Sequence, residues 1–236
     1  MHDRQMPGYG QYCPLALASE ILAERWTLLV LRELMLGAHH FNDIHRGIPR
    51  MSPSLLTRRL RTLERTEIIE RKRVGRRIEY RPTEAGRALM PIVESLAVWG
   101  KSWLPATLSQ DRSDPDLILW DMHRRMNTEL LPDGRTVIRF VLVDQPAERR
   151  SRWLVCERTG VDVCLSDPGH DVDLDVESDS RTLIWVWYGD LPLSRALDDG
   201  RIELYGPRAL CAAFPSWLQL NVLAEVPRRM ATQVHE

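Results

Sequence analysis

Hydrophobic positions along this chain follow two periods, and the first hundred residues are dominated by the helical one. Leu15, Ala18, Ile21 and Leu22 repeat at about 3.6 residues after Cys13-Pro14, and the run from Trp26 to Leu36 continues this helical pattern until Gly37. Phe41, Ile44 and Ile48 lie on one side of a short helix that Gly47-Ile48-Pro49 ends. Over 52–65 the pattern is sharpest. Ser52 suits an N-cap and Pro53 the first helical position, where a missing N–H costs nothing. Leu56, Leu60 and Leu63 then form one stripe, with Ser54, Arg58, Arg61 and Arg65 on the opposite one. Segments 68–74 and 77–81 switch to a period of two around Gly75-Arg76, which predicts a β-hairpin with a basic tip. Thr83 reads as the cap of one further helix carrying Leu89, Ile92, Val93, Leu96, Val98, Trp99 and Trp103. That is more apolar surface than a small domain covers, so part of it meets either a second subunit or the downstream domain.

Residues 105–114 are polar and lack periodicity, as a linker would. Asp114-Pro115 can start a helix through Leu131, with Leu117, Trp120, Met126 and Leu130 among its apolar positions and Pro132-Asp133-Gly134 as its stop. Strand-like stretches follow at 136–143, 152–157, 161–165 and 172–176, with Gly160 turning the middle two into a hairpin. Helical stretches at 182–188 and 193–197, a strand at 201–205 and a last helix over 207–220 complete the pattern. The expected organisation is a mainly α winged helix-turn-helix domain over 1–104, a linker over 105–114 and an α+β domain over 115–236.

Charge sharpens this division. Residues 46–81 hold 12 Lys or Arg against 4 Glu. Residues 1–104 carry a net of plus six and 105–236 a net of minus seven, so only the first part favours a polyanion. A face of Ser, Thr and Arg on a helix matches the DNA major groove, where Arg takes guanine edges and hydroxyls reach phosphates or bases, although such a face is also compatible with simple solvation. The expected DNA-binding residues are Ser52, Ser54, Thr57, Arg58, Arg61 and Arg65 on the helix, with Arg76 and Arg77 on the wing.

The order Cys13-Pro14-Leu15, Arg25-Trp26-Thr27-Leu28-Leu29, Leu31-Arg32-Glu33-Leu34, Phe41-Asn42-Asp43-Ile44, Arg46-Gly47-Ile48-Pro49, Ser52-Pro53, Leu56-Thr57-Arg58-Arg59-Leu60, Leu63-Glu64, Glu79-Tyr80 and Thr83-Glu84-Ala85-Gly86 resembles the HxlR family of bacterial winged-helix regulators, relatives of the MarR group. The resemblance covers residues 13–103 and implies a homodimeric transcriptional regulator that binds a palindromic double-stranded operator. It also marks Cys13, which stands where some family members sense electrophiles or oxidants; a structural thiol is the alternative. Downstream, Trp153-Leu154-Val155, Thr182-Leu183-Ile184-Trp185, Gly189-Asp190, the run over 196–206 and Ala209-Leu210 resemble the sterol-carrier-protein-2 fold, which implies an apolar or amphipathic ligand. Trp153, Val155, Val163, Leu183, Trp187, Leu210, Phe214 and Trp217 are the expected ligand-binding residues, or else a closed core.

Other constellations carry less. His39, His40 and His45 do not share a helix face, no Cys or carboxylate completes a ligand set, and solvated histidines are expected. Asp171, Asp173 and Asp175, beside His170, could gather a hard cation, but their alternation with Val172, Leu174 and Val176 is that of a strand with one wet face. No nucleophile elbow, phosphate-binding Gly loop or H-E-x-x-H occurs, so neither enzymatic activity, cofactor nor metal is expected. Without a membrane span, a signal-peptide core or a C-x-x-C pair, the chain reads as cytoplasmic with reduced thiols. The expected function is a DNA-binding regulator that senses a small molecule; the alternative is a carrier or enzyme tethered to nucleic acid by its basic domain.

Overall fold

A computed structural model of the chain describes residues 8–105 and 114–229. The chain divides between residues 97 and 98 into two compact units. Of the linker expected over 105–114, residues 106–113 lie outside the described residues.

The first unit contains α1 (Pro14–Leu22), α2 (Thr27–Met35), α3 (Phe41–Gly47), α4 (Pro53–Arg65), the antiparallel hairpin β1 (Ile69–Val74) and β2 (Arg77–Pro82), α5 (Glu84–Ala88) and the first turns of α6 (Met90–Trp103). This is a winged helix-turn-helix. The cap of α4 forms as its sequence suggests, Leu55 N donating to Ser52 Oγ at 3.3 Å. Leu56, Leu60 and Leu63 are buried in one core with Val30, Leu31, Leu34, Ile44, Ile48 and Ile69.

Two helices are shorter than their periodicity suggests. The run from Cys13 to Leu36 is broken before α2, where Trp26 takes a left-handed φ of 79°. The break has a tertiary cause: Arg59 of α4 pairs with Glu24 and donates through Nε to Arg25 O at 3.2 Å, holding an open turn. As a result α1 buries no residue, and the core beneath α4 comes from α2 with only partial help from Ile21 and Leu22. The helix expected from Thr83 onward divides at Leu89, the C-cap of α5. Pro91 explains this, because it lacks an N–H and its ring would clash with a helical carbonyl four residues back.

Two glycines in this unit are required by close approach. A Cβ on Gly47 would meet Glu33 Oε2 at 1.9 Å, and one on Gly86 would meet the backbone oxygen of Ile68 at 2.1 Å. The second contact belongs to a knot in which Thr83 Oγ1 accepts from Gly86 N and also donates toward Glu67 O (2.7 Å) and Ile68 O (3.0 Å), seating α5 on the base of the wing.

The second unit is a mixed α/β arrangement built on a five-stranded sheet. Its elements are α7 (Pro115–Met122), β3 (Thr136–Leu142), α8 (Ala147–Arg150), β4 (Ser151–Glu157), β5 (Gly160–Cys164), β6 (Leu174–Ser178), α9 (Ser180–Trp187), α10 (Leu193–Asp198), β7 (Ile202–Tyr205) and α11 (Arg208–Trp217). The strand order is β5-β4-β3-β6-β7, with only β3 and β6 parallel. Ile138, Phe140, Leu154, Cys156, Leu174 and Val176 share a buried core with Leu183, Val186, Trp187, Phe214 and Trp217. The helix expected from Pro115 to Leu131 ends at Met122 in a 3-10 turn, and the one expected over 207–220 ends at Trp217. Both stop for one reason. Met126 and Leu218 form an antiparallel bridge, Asn127 N donating to Trp217 O at 2.7 Å, and these backbone bonds outcompete further helix.

The last turns of α6 belong to the second unit. Lys101, nearly buried, donates to Tyr188 O and to Asp190 Oδ1, both at 2.5 Å, while Arg228 grips both oxygens of Asp190 at 2.8 and 2.7 Å. Burial alone would raise the Asp190 carboxyl, yet the bonds from Arg228 and Lys101 hold it below the usual carboxylate range.

Gly86→Ala should destabilise the first unit by about 1 to 3 kcal/mol, because the new methyl meets backbone that cannot swing aside. Scanning calorimetry checks this, and an unchanged transition would show that the contact at Ile68 O relaxes freely.

Candidate nucleic-acid interface

The helix-turn-helix exposes its basic stripe because the opposite stripe is consumed by the core. Ser54, Arg58, Arg61 and Arg65 are exposed along α4, whereas Leu56, Leu60 and Leu63 are buried at 1% or less. Among the described residues Arg58 and Arg61 make no hydrogen bond or ion pair, so both guanidiniums keep their full donor sets. Ser52 and Ser54 lie at the exposed start of the helix with their hydroxyls 3.2 Å apart. Thr57 is half-buried, and its hydroxyl donates back to Pro53 O at 2.9 Å, which leaves it only acceptor capacity toward a ligand. Arg59, although flanked by the free arginines, is a structural residue: it faces α1 and fixes the turn at Glu24 and Arg25.

The wing joins Val74 to Arg77 through a two-residue loop, with Gly75 at φ 61° as the strained position demands. Arg76 and Arg77 are exposed at its tip and without ion pairs among the described residues. The register sorts the remaining side chains onto two faces. Glu70, Lys72 and Val74 share one with Arg77, Glu79 and Arg81; Ile69, Arg71 and Arg73 share the other with Ile78, Tyr80 and Pro82. On the first face Lys72 pairs with Glu70 at 2.5 Å and Arg81 with Glu79 at 2.7 Å. The bond from Arg81 holds the Glu79 carboxyl below its ordinary value, with smaller help from His40 and His39.

The histidines correct the expectation of solvated side chains. His39 Nδ1 donates to Tyr80 O (3.2 Å), His40 Nδ1 to Ile78 O (3.0 Å) and His45 Nε2 to Met51 O (2.7 Å). Each faces a carbonyl, which can only accept, so each of these nitrogens carries a proton. Tyr80 N in turn donates to His39 O at 2.8 Å. His39 and His40 thus staple the free edge of β2 to the start of α3, and His45 braces the turn before α4. Nothing in the spacing revealed this, because the acceptors are backbone atoms some forty residues away for His39 and His40.

The other expected site residues are placed as follows. Cys13 occupies the N-cap position of α1 and is half-buried. Leu183, Trp187, Phe214 and Trp217 are packed in the core of the second unit, with Val163 and Leu210 partly buried against it. Trp153 and Val155 do not join them, since they alternate with Leu154 and Cys156 on β4 and so take the opposite sheet face, beside Arg139 and Val137. The aspartates of the 170s serve the sheet: Asp173 Oδ2 accepts from Val137 N at 2.8 Å, and Asp175 takes Arg139 in a two-bond pair at 2.6 and 3.0 Å. Among the described residues no group of three or more His, Cys, Asp or Glu could hold a metal ion. Nor is any helix among them long and apolar enough to cross a membrane.

Fold and exposed charge together define a winged helix-turn-helix DNA-binding unit. Residues 21–108 match the model of the HxlR-like helix-turn-helix family. An HTH-type transcriptional regulator from Methanothermobacter thermautotrophicus is 35% identical over 112 residues, spanning 42% of this chain and 86% of the relative. The regulator YvaP of Bacillus subtilis is 33% identical over 98 residues, spanning 40% of this chain and 91% of its own length. Among solved structures, the reduced form of the transcriptional regulator YodB from B. subtilis shares 32% identity over 39% of this chain and 93% of its own, with a TM-score of 0.35. The chain belongs to the HxlR-like helix-turn-helix family and is a DNA-binding transcriptional regulator. The family match ends before the second unit's sheet begins.

Arg58→Ala and Arg59→Ala separate the two uses of adjacent arginines. The former should leave unfolding within about 0.5 kcal/mol of the parent, whereas the latter, by orphaning Arg25 O and the Glu24 carboxylate, should cost about 1 to 3 kcal/mol. Urea unfolding of both variants is the measurement, and equal stabilities would remove Arg59 from its structural role.

Proposed function

We propose that the chain acts as a homodimer on a palindromic operator, each subunit presenting α4 to one half-site in the major groove and its wing to the flanking backbone. The observation that carries this reading is the free guanidinium stripe of Arg58 and Arg61 on a helix whose opposite face is fully buried. Ser52, Ser54, Thr57 and Arg65 lie within the same surface, and Arg76 and Arg77 extend it. Dimerisation is supported by apolar surface that a monomer leaves in water. In α1 Leu15 is 74% exposed, and in α6 Ile92, Leu96 and Trp99 are 48–55% exposed. A second copy of this chain is the occupant we assign to these helices, because a palindromic operator requires a twofold partner.

We read the second unit as a sensor of sterol-carrier-protein-2 type that takes an apolar or amphipathic molecule. Its support is the layer of half-buried apolar side chains, Val163 and Leu210 among them, that rims the core of Leu183, Trp187, Phe214 and Trp217. Trp153 and Val155 would meet such a molecule only on the other sheet face. A redox response is assigned to Cys13 on the family resemblance of its position; burial pushes the Cys156 thiol up to about 12, and burial with Asp162 nearby raises Cys164, which disfavours the reactive thiolate at those two and leaves Cys211 as the thiol to compare with Cys13.

Arg58→Ala and Arg61→Ala should each weaken binding to the selected operator by about 1 to 3 kcal/mol if they read bases. Competition with random DNA decides the matter, since equal loss on both would demote them to phosphate contacts. Trp99→Asp should shift sedimentation toward monomer and abolish the advantage of a two-half-site operator over a single half-site; an unchanged dimer would sink the α6 interface. Under diamide the operator affinity of the parent should change while that of Cys13→Ser does not, and identical responses would make Cys13 structural.

A further inference from the structure

The wing's cations are not equivalent, and their pairing divides them by face. On one side Lys72 and Arg81 are neutralised by Glu70 and Glu79, which leaves that face only Arg77, at the tip, without an ion pair among the described residues. On the other, Arg71 and Arg73 are exposed, have no ion pair among the described residues and share their face with no carboxylate. This second face begins at the wing's base with Ile69 and Tyr80, both packed on the helix-turn-helix core, so further out it overlooks the side on which the body of the domain lies. Arg71, nearest the base, also borders a groove containing Glu64, Glu67 and Glu84. Arg73 lies beyond it, toward Arg76 at the tip, with only Ile78 opposite.

We propose that between its base and its tip the wing engages DNA through this face: Arg73, with Arg76 and Arg77 at the tip, holds backbone phosphates, and His39 and His40 act as positioning residues that fix the direction of the face. Charge complementarity selects the ligand, because an unpaired guanidinium with its donors free is suited to a phosphate and a cation already bonded to a carboxylate is not. The histidines hold the strand itself. Their Nδ1 protons take the Ile78 and Tyr80 carbonyls on the edge of β2 that β1 leaves open. Removing them leaves the bond from Tyr80 N to His39 O as the remaining tie on that edge, so the outer part of the hairpin gains freedom to turn beyond it and Arg73 loses its register with the duplex. This rests on the reading of α4 as the groove-reading helix.

The test is the salt dependence of operator affinity in the full-length protein. A phosphate contact contributes about 0.9 to the slope of log K against log salt. Arg73→Ala should reduce the slope by about that amount, and Lys72→Ala, its sequence neighbour on the paired face, should leave it unchanged. His39→Leu with His40→Leu should lower the slope to the Arg73→Ala level, and adding Arg73→Ala to that pair should produce no further fall. Asn at both positions, which restores an N–H donor, should recover the parent slope. Equal reductions for Arg73→Ala and Lys72→Ala, or additive effects of the histidine and arginine changes, would overturn the proposal. So would a parental slope in Arg73→Ala. Failure of the parent itself to prefer its operator over random DNA would instead indict the reading of α4.

Discussion

A carboxylate buried to 2% exposure fixes the angle on which the DNA-reading unit depends. Glu33, on α2, lies against the backbone of Gly47 so closely that no side chain fits between them. Arg32 bridges the pair, giving Nε and Nη2 to Glu33 Oε1 at 3.0 and 2.7 Å and Nη2 to Gly47 O at 3.1 Å. A buried ion is tolerated only when its lone pairs are filled, so α2 and α3 can meet in few geometries other than this one. The end of α3 then sets the turn through Ile48 and Met51, both buried, and that turn delivers Ser52 to cap α4. The direction in which α4 presents its exposed arginines is therefore set by a polar contact two helices upstream.

Much of this unit is legible in the sequence, and for an identifiable reason. Ser52-Pro53, the Leu56, Leu60 and Leu63 stripe, Gly75-Arg76 and the Thr83 cap are local signals, decided by residues within one or two turns of each other. What stayed hidden was decided at a distance. The break at Trp26 depends on Arg59, more than thirty positions later, and the early ends of α7 and α11 depend on each other through Met126 and Leu218. The role of His39 and His40 needed the position of β2. Of the eight residues expected on the inner face of the second unit only Trp153 and Val155 lie elsewhere, because they are as apolar as Leu154 and only the register tells which of them looks toward the helices.

The second unit has a filled centre. Trp187 and Trp217 are fully buried, and each indole N–H has a partner, Asp121 Oδ2 at 2.7 Å and Leu130 O at 3.0 Å. Asp121 also accepts from Asn221 at 2.7 Å, so one carboxylate ties α7, α9 and the chain after α11. Bonded indoles resist displacement by an apolar guest, because expelling one would strand its N–H. Any ligand therefore works at the rim of this core rather than through its middle, and it can influence DNA only as far as it prefers one arrangement of the protein over another.

The first unit's basic surface depends as much on where carboxylates are spent as on the number of arginines. Glu24 is taken by Arg59, Glu33 by Arg32, Glu70 by Lys72 and Glu79 by Arg81. Each acid meets a cation that serves the fold or one wing face, and among the described residues Arg58, Arg61, Arg73, Arg76 and Arg77 are left unmatched. Had Glu70 stood one residue further along its strand, it would have shared a face with Arg73 and quenched part of this basic surface. At physiological salt, fields between exposed charges fade within about 8 Å. The net charge of a whole domain is therefore a poor guide to where a phosphate will sit, and the pairing of individual cations is a better one.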